Sequence, residues 1–245
     1  MSGTGTGRRR ALVTGASRGL GAALARFLAA DGWDLILTAR TAGPLDEVAG
    51  AVRESGAEVT ALVGDVANPA HRVEVRKAVE SKVRLDLLVN NASELGPSPL
   101  PELARYPLSQ LELVYRTNVV APVALVQELL PFLERARGVV VNISSDAALA
   151  GYPGWGGYGA SKAALDLVSR TLAHELRDRG VAVVAVDPGD LRTAMHQAAY
   201  PGEDISDRPL PEVTLPFWAW LLHQPPERIT GSRFRAQAER WEVPV

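Results

Sequence analysis

From position 11 onward, short apolar runs alternate with longer stretches that repeat their apolar residues every three or four positions. Ala11–Thr14 reads as a strand, and the bend GASRGLG follows it. Gly21–Asp31 then has helical periodicity that stops at Gly32. Trp33–Ala39 is a second strand, Pro44–Ser55 a helix with its proline near the start, and Glu58–Val63 a third strand. Pro69–Lys82 is helical, and Leu85–Asn90 is continuously apolar, as expected of a strand covered on both faces. The pattern next predicts a long helix over Leu108–Arg135 with a bend near Pro122. Strand Val139–Ser144, helix Tyr158–Arg179 closed by Gly180, and strand Val181–Asp187 complete the series. Repeated β-α units of this length predict an α/β fold, a doubly wound parallel sheet with helices on both faces. No linker, low-complexity segment or composition break divides the chain, so residues 1–245 are expected to form a single domain.

Composition narrows the function more than the fold. With 47% hydrophobic and 22% charged residues over 245 positions, the chain can build one substantial core. A formal net charge of −2 gives no reason to expect a nucleic-acid or membrane partner. The basic run Arg8-Arg9-Arg10 is too short for a nucleic-acid arm and reads as a solvated strand entrance. There is no cysteine, which excludes disulfides and thiol chemistry. His71, His174, His196 and His223 lack metal-ligand spacing, so no metal is expected. MSGTGTGRRRALVTGAS has no apolar leader core, and a cytoplasmic location is the expectation.

Two stretches carry candidate chemistry. Thr14-Gly15-Ala16-Ser17-Arg18-Gly19-Leu20-Gly21 lies between the first strand and the first helix. Glycines there permit a tight turn and let the backbone approach a diphosphate resting on the helix N-terminus. The second strand ends LeuThrAlaArgThr, with no acid to bind an adenosine ribose. Arg40, with Arg18 and Ser17, suits a 2′-phosphate instead, so NADP(H) is favoured over NAD(H); the other reading of Arg40 is a plain strand cap.

The second stretch is Ser145–Lys162. Tyr158 and Lys162 stand one helical turn apart, on one face. An ammonium beside a phenol favours phenolate and brings a pKa of about 10 toward neutrality, where acid-base catalysis needs it. Among the 26 basic residues only Lys77, Lys82 and Lys162 are lysines, which singles out Lys162. Ser145 could bond the same substrate oxygen if its loop folds back over the helix start.

With the glycine loop, Asn90-Asn91-Ala92, Asn118, Ser145, Tyr158 and Lys162 in order, the chain resembles the short-chain dehydrogenase/reductase family, single-domain branch, over nearly its whole length. The resemblance implies a Rossmann-type sheet of about seven strands and a reaction interconverting a carbonyl and a secondary alcohol. It implies that Tyr158 exchanges the proton, and that Lys162 lowers the Tyr158 pKa and binds the nicotinamide ribose. Ser145 would polarise the carbonyl, and Asn118 would hold a water linking Lys162 to solvent. Gly15, Ser17, Arg18, Gly19, Leu20 and Gly21 would surround the diphosphate. Asp65 and Val66 would meet the adenine, Asn91 and Ala92 the adenosine, and Pro188, Gly189 and Thr193 the nicotinamide.

Several positions depart from the family pattern. Ser93 replaces the glycine of NNAG, Val184 an asparagine ahead of Pro-Gly, Asp146 adds a charge after Ser145, and the terminus lacks Asp-Gly-Gly. That terminus often contributes to the oligomer, so a homodimer or homotetramer is expected, the tetramer with less support. Loops 93–101, 147–157 and 191–210 should line the substrate, and Leu95, Leu149, Tyr152, Trp155, Met195 and Tyr200 suggest a small apolar carbonyl compound or alcohol. Segment 191–210 reads as a lid, and His196 within it as a surface residue. An NADP-binding sensor of the same fold is the alternative function; a sugar-nucleotide epimerase or dehydratase would need a longer C-terminal part.

Overall fold

The computed structural model describes residues 8–243; residues 1–7, where no leader core is read, and 244–245 lie outside it. Seven parallel strands form one sheet in the order β3-β2-β1-β4-β5-β6-β7. They are β1 (Arg10–Thr14), β2 (Asp34–Ala39), β3 (Val59–Val63), β4 (Leu87–Asn90), β5 (Val139–Ile143), β6 (Ala182–Asp187) and β7 (Arg233–Arg235). The helices are α1 (Gly19–Ala30), α2 (Ala42–Glu54), α3 (Pro69–Glu80), α4 (Leu108–Tyr115), α5 (Ala121–Ala136), α6 (Gly156–Leu176), α7 (Ala194–Ala199) and α8 (Leu215–Leu221). This is the Rossmann-type α/β sheet that the alternation predicts.

Strand side chains alternate between two cores. Ala11 and Val13 join Leu24 and Leu28 of α1, Val48 of α2, and Phe217 and Trp218 of α8. Leu12 joins Val75 of α3, Leu125 and Leu129 of α5, and Ala173 of α6. β1 pairs with β2 on one side, Ala11 opposite Leu35, and with β4 on the other, Ala11 opposite Leu87. Chain progression reverses between β1 and β4, and the carboxyl ends of such neighbours open a crevice in doubly wound sheets.

One expected helix is two. The run from Leu108 is interrupted by a π turn over Arg116–Val120 before α5 begins, so the break precedes Pro122 instead of sitting on it. Proline has no N–H, so Pro122 cannot donate to the carbonyl of Asn118, its α-helical partner. The backbone widens by one residue ahead of the proline, and the Ala121 N–H bonds back to the Arg116 carbonyl. The turn points buried Asn118 toward β4 and α6.

Candidate active site

The bend after β1 is built for close approach. Gly15 and Gly19 have φ of 65° and 55°, where a side chain is strained. A Cβ on Gly21 would lie 2.3 Å from the Gly15 carbonyl oxygen. The Asn91 amide braces the bend from β4, donating to the carbonyls of Thr14 (2.8 Å) and Gly15 (3.1 Å). Thr14 Oγ1 accepts from the N–H groups of Asn91 and Ala92. The Asn91 side chain therefore shapes the loop. α1 starts without a side-chain cap or an acid in its first turn, leaving its N–H groups as anion donors. Gly15, Ser17, Arg18, Gly19 and Leu20 line the cleft, and Gly21 lies behind them, packed on Gly15.

At the far end stand Arg40, Asp65 and Val66. Asp65 Oδ1 accepts from Ala67 N at 2.8 Å, and the Val66 carbonyl accepts from Arg72 at 2.9 Å, so both have turn-building roles. Arg40 is not a free cation: its guanidinium donates to Glu94 at 2.9 Å. Glu94 follows β4, next to Ser93, so the pair joins the two sides of the crevice.

The other end gathers Ser145, Tyr158, Lys162 and Asn118. α6 begins ahead of Tyr158, and helical spacing sets Tyr158 and Lys162 on its inner face. Lys162 is 1% exposed, and its Nζ donates to the Ile143 carbonyl at 2.7 Å, beneath the Tyr158 ring (5.4 Å from the centroid). Here the sequence expectation is corrected. Burial pushes the Tyr158 phenol above its ordinary value, with Asp187 and Asp146 adding to the rise, while the Ser93 and Ser145 hydroxyls pull it down. Lys162 faces the ring and the Ile143 carbonyl, and its own pKa is pushed down to about 8 by burial, against the pull of Asp166.

Asn118 is fully occupied: Oδ1 accepts from Ser93 Oγ (3.1 Å) and Glu94 N (2.7 Å), and Nδ2 donates to the Glu94 carbonyl and Ser161 Oγ (both 2.9 Å). Its side chain fastens the β4 loop to α6, so a water held at this position would have to use the backbone carbonyl facing Pro122. Ser93, noted in sequence as a departure and as the start of a substrate loop, donates to Asn118 and helps pull the phenol down.

Pro188, Gly189 and Thr193 line the cleft after β6. Gln237 secures them from the C-terminal segment, donating to the carbonyls of Pro188 (2.9 Å) and Asp190 (3.1 Å), and Thr193 caps α7 through His196 N. Arg233 on β7 went unnoticed in sequence. It donates to Asp166 (2.9 Å), to the Ser145 carbonyl (2.7 Å) and to Asp187 (3.4 Å). The available signal was two acids, one a turn beyond Lys162 and one before Pro188, that a buried setting obliges to find a cation. His196 is also corrected: its side chain is 11% exposed, it lines the cleft, and its ring lies 5.1 Å from that of Tyr200.

These groups surround one cleft of about 820 Å³ running from Arg40 to Tyr158. Its extent from Arg40 to Tyr158, the uncapped helix start and the glycine bend fit a dinucleotide. Among the described residues no cluster of three or more His, Asp or Glu could hold a metal, and no helix is long and apolar enough to cross a membrane.

A family model described as short chain dehydrogenase matches residues 9–204. The oxidoreductase YciK of Escherichia coli K12 is 34% identical over 235 residues, covering 94% of this chain and 92% of its own. A 3-oxoacyl-[acyl-carrier-protein] reductase of Synechocystis is 33% identical over 231 residues, covering 92% and 88%. A Shigella flexneri 2a protein described as a short chain dehydrogenase, complexed with NADP, superposes with a TM-score of 0.87 at 32% identity, covering 94% of this chain and 97% of that one.

Proposed function

The chain belongs to the short-chain dehydrogenase/reductase family, a family of oxidoreductases; from that premise we propose that it interconverts a carbonyl compound and a secondary alcohol using NADP(H). The observation that carries the reading is the convergence of Ser145, Tyr158 and Lys162 at one end of a cleft that also takes in a glycine-lined helix start. Relatives support both halves: one is a 3-oxoacyl reductase, and a structural neighbour is complexed with NADP.

The bend from Gly15 to Gly21 would hold the diphosphate, and Ser17, Arg18 and Arg40 the 2′-phosphate. Asp65, Val66, Asn91 and Ala92 would border the adenosine, and Pro188, Gly189 and Thr193 the nicotinamide. When bound, the nicotinamide supplies or takes the hydride. Ser145 Oγ donates to the carbonyl oxygen once it turns from Asp146, to which it now donates at 3.0 Å. Tyr158 gives that oxygen its proton in reduction and takes it back in oxidation. When the dinucleotide is bound, Lys162 would hold a nicotinamide ribose hydroxyl, and its ammonium would favour the phenolate that oxidation needs. Segment 191–210 closes over the reacting groups, with Met195, Ala198 and Ala199 packing on the Tyr158 cluster.

The test is a carbonyl and alcohol panel followed at the nicotinamide absorbance with each cofactor. Tyr158→Phe should cut turnover by roughly 10²–10⁴-fold while NADPH still binds; retained turnover removes the assigned role. Arg40→Ala should weaken NADPH more than NADH, and equal losses remove the 2′-phosphate assignment. Tight NADPH binding without turnover across the panel would favour the sensor.

A further inference from the structure

The charge at the catalytic end of the cleft says more about the substrate. Besides Asp65 at the far end, four acids line the cavity: Glu94, Asp146, Asp187 and Asp190. Glu94 has Arg40 at 2.9 Å, Asp187 has Arg233 at 3.4 Å, and Asp190 has Arg208 at 3.8 Å and His196 at 3.9 Å. Among the described residues Asp146 meets only neutral donors: Ser145 Oγ at 3.0 Å, Ala147 N at 2.8 Å and Tyr152 OH at 3.1 Å.

The cations that sequence could have offered it are elsewhere. Lys162 is held by the Ile143 carbonyl. Arg192 faces a separate shallow pocket with Gln197 and Ile205. The Tyr152 hydroxyl touches Asp146, and Trp155 and Tyr200 line the same cavity. Trp155 stands edge-on to Tyr158 with centroids 5.8 Å apart, and Tyr200 lies 6.0 Å from Trp155.

Resting on the oxidoreductase reading, we propose that the substrate carries a protonated amine beside the reacting carbinol or carbonyl carbon, with Asp146 as its counter-ion. Ser145 addresses the substrate oxygen, and Asp146 Oδ1 lies 3.0 Å from Ser145 Oγ, so an ammonium on that carboxylate is close to the reacting carbon. Asp146 is exposed within the cavity, and a carboxylate there without a cation draws in a cationic ligand and repels an anionic one. The apolar substrate expected from sequence thereby gains one charge, and keto acids are disfavoured.

Three secondary alcohols of similar shape test this with NADP⁺: 2-amino-1-phenylethanol (cationic), 1-phenyl-1-propanol (neutral) and mandelate (anionic). The amine should exceed the neutral alcohol about tenfold in kcat/KM, the gain of a charge-assisted hydrogen bond, with mandelate poorest. Asp146→Asn should bring amine and neutral alcohol to near parity. The ratio is taken within one variant, so any general loss through Ser145 cancels. Tyr152→Phe, which removes a competing donor from Asp146 at an exposed position, should keep or widen the preference.

Parity in the unsubstituted protein, or a ratio unmoved by Asp146→Asn, overturns the proposal while leaving the oxidoreductase reading intact. So does a ratio unmoved alongside a changed NADP⁺ to NADPH affinity, which would give the carboxylate to the nicotinamide. If none is oxidised, calorimetric titration of the three onto the protein with NADP⁺ reads the same order. Amine-selective binding without reaction counts against the oxidoreductase reading alone, and equal or absent binding counts against this one.

Discussion

Lys162 shows how a spacing can be read from sequence while a direction cannot. Its place one turn from Tyr158 follows from helix geometry, but the Ile143 carbonyl that takes its ammonium comes from another strand, visible only once β5 lies under α6. Burial lowers the lysine to about 8, below its unfolded value of about 10.4. The sign follows from linkage: between those values the unfolded chain binds more protons, so stability rises with pH across that window, and the burden is full below pH 8. Lys162→Met should therefore lose turnover yet melt higher than the parent at pH 7, the difference fading as pH approaches about 10. Thermal unfolding at several pH values checks this; a constant difference would show that the ammonium carries no such burden. Arg40 teaches a similar lesson, because its residue type was informative and its partner Glu94, from a distant loop, was not.

At the scale of elements, the strands and most helices were legible because apolar periodicity reports burial directly. β4, buried at every position, lies within the continuous apolar run that sequence marked at Leu85–Asn90. The π turn was half legible. Pro122 announced a disturbance, but proline acts on the carbonyl four residues earlier, which moves the break to Arg116–Val120. Restoring the missing donor with Pro122→Ala should let α4 and α5 run on as one helix and turn Asn118 away from Ser93, Glu94 and Ser161. The melting temperature should hold or rise, while kcat falls by about tenfold or more through misplacement of the β4 loop and α6. An unchanged kcat would separate the turn from catalysis.

Across the whole molecule, Arg233 joins β7 to α6 through Asp166, to β6 through Asp187, and to the Ser145 loop through its carbonyl. Sequence could not reveal this tie, since its members are far apart along the chain and meet only when the sheet edge assembles. Arg233→Met would leave buried acids without their cation, costing about 3 kcal/mol or more. It would also raise the Tyr158 phenol further, since Asp187 already pushes it up. The acidic limb of alcohol oxidation, which needs phenolate, should move to higher pH by roughly one unit, and Arg233→Lys should recover part of it. A drop in stability with an unmoved limb would leave Arg233 a purely structural brace.

Because that guanidinium belongs to the last strand of the sheet, the reactive loop receives its anchor only after β7 has been synthesised. A nascent chain halted before residue 233 could already hold β1 to β6 in register yet leave the Ser145 carbonyl untethered. Such an intermediate would grip a nucleotide before it could process an alcohol.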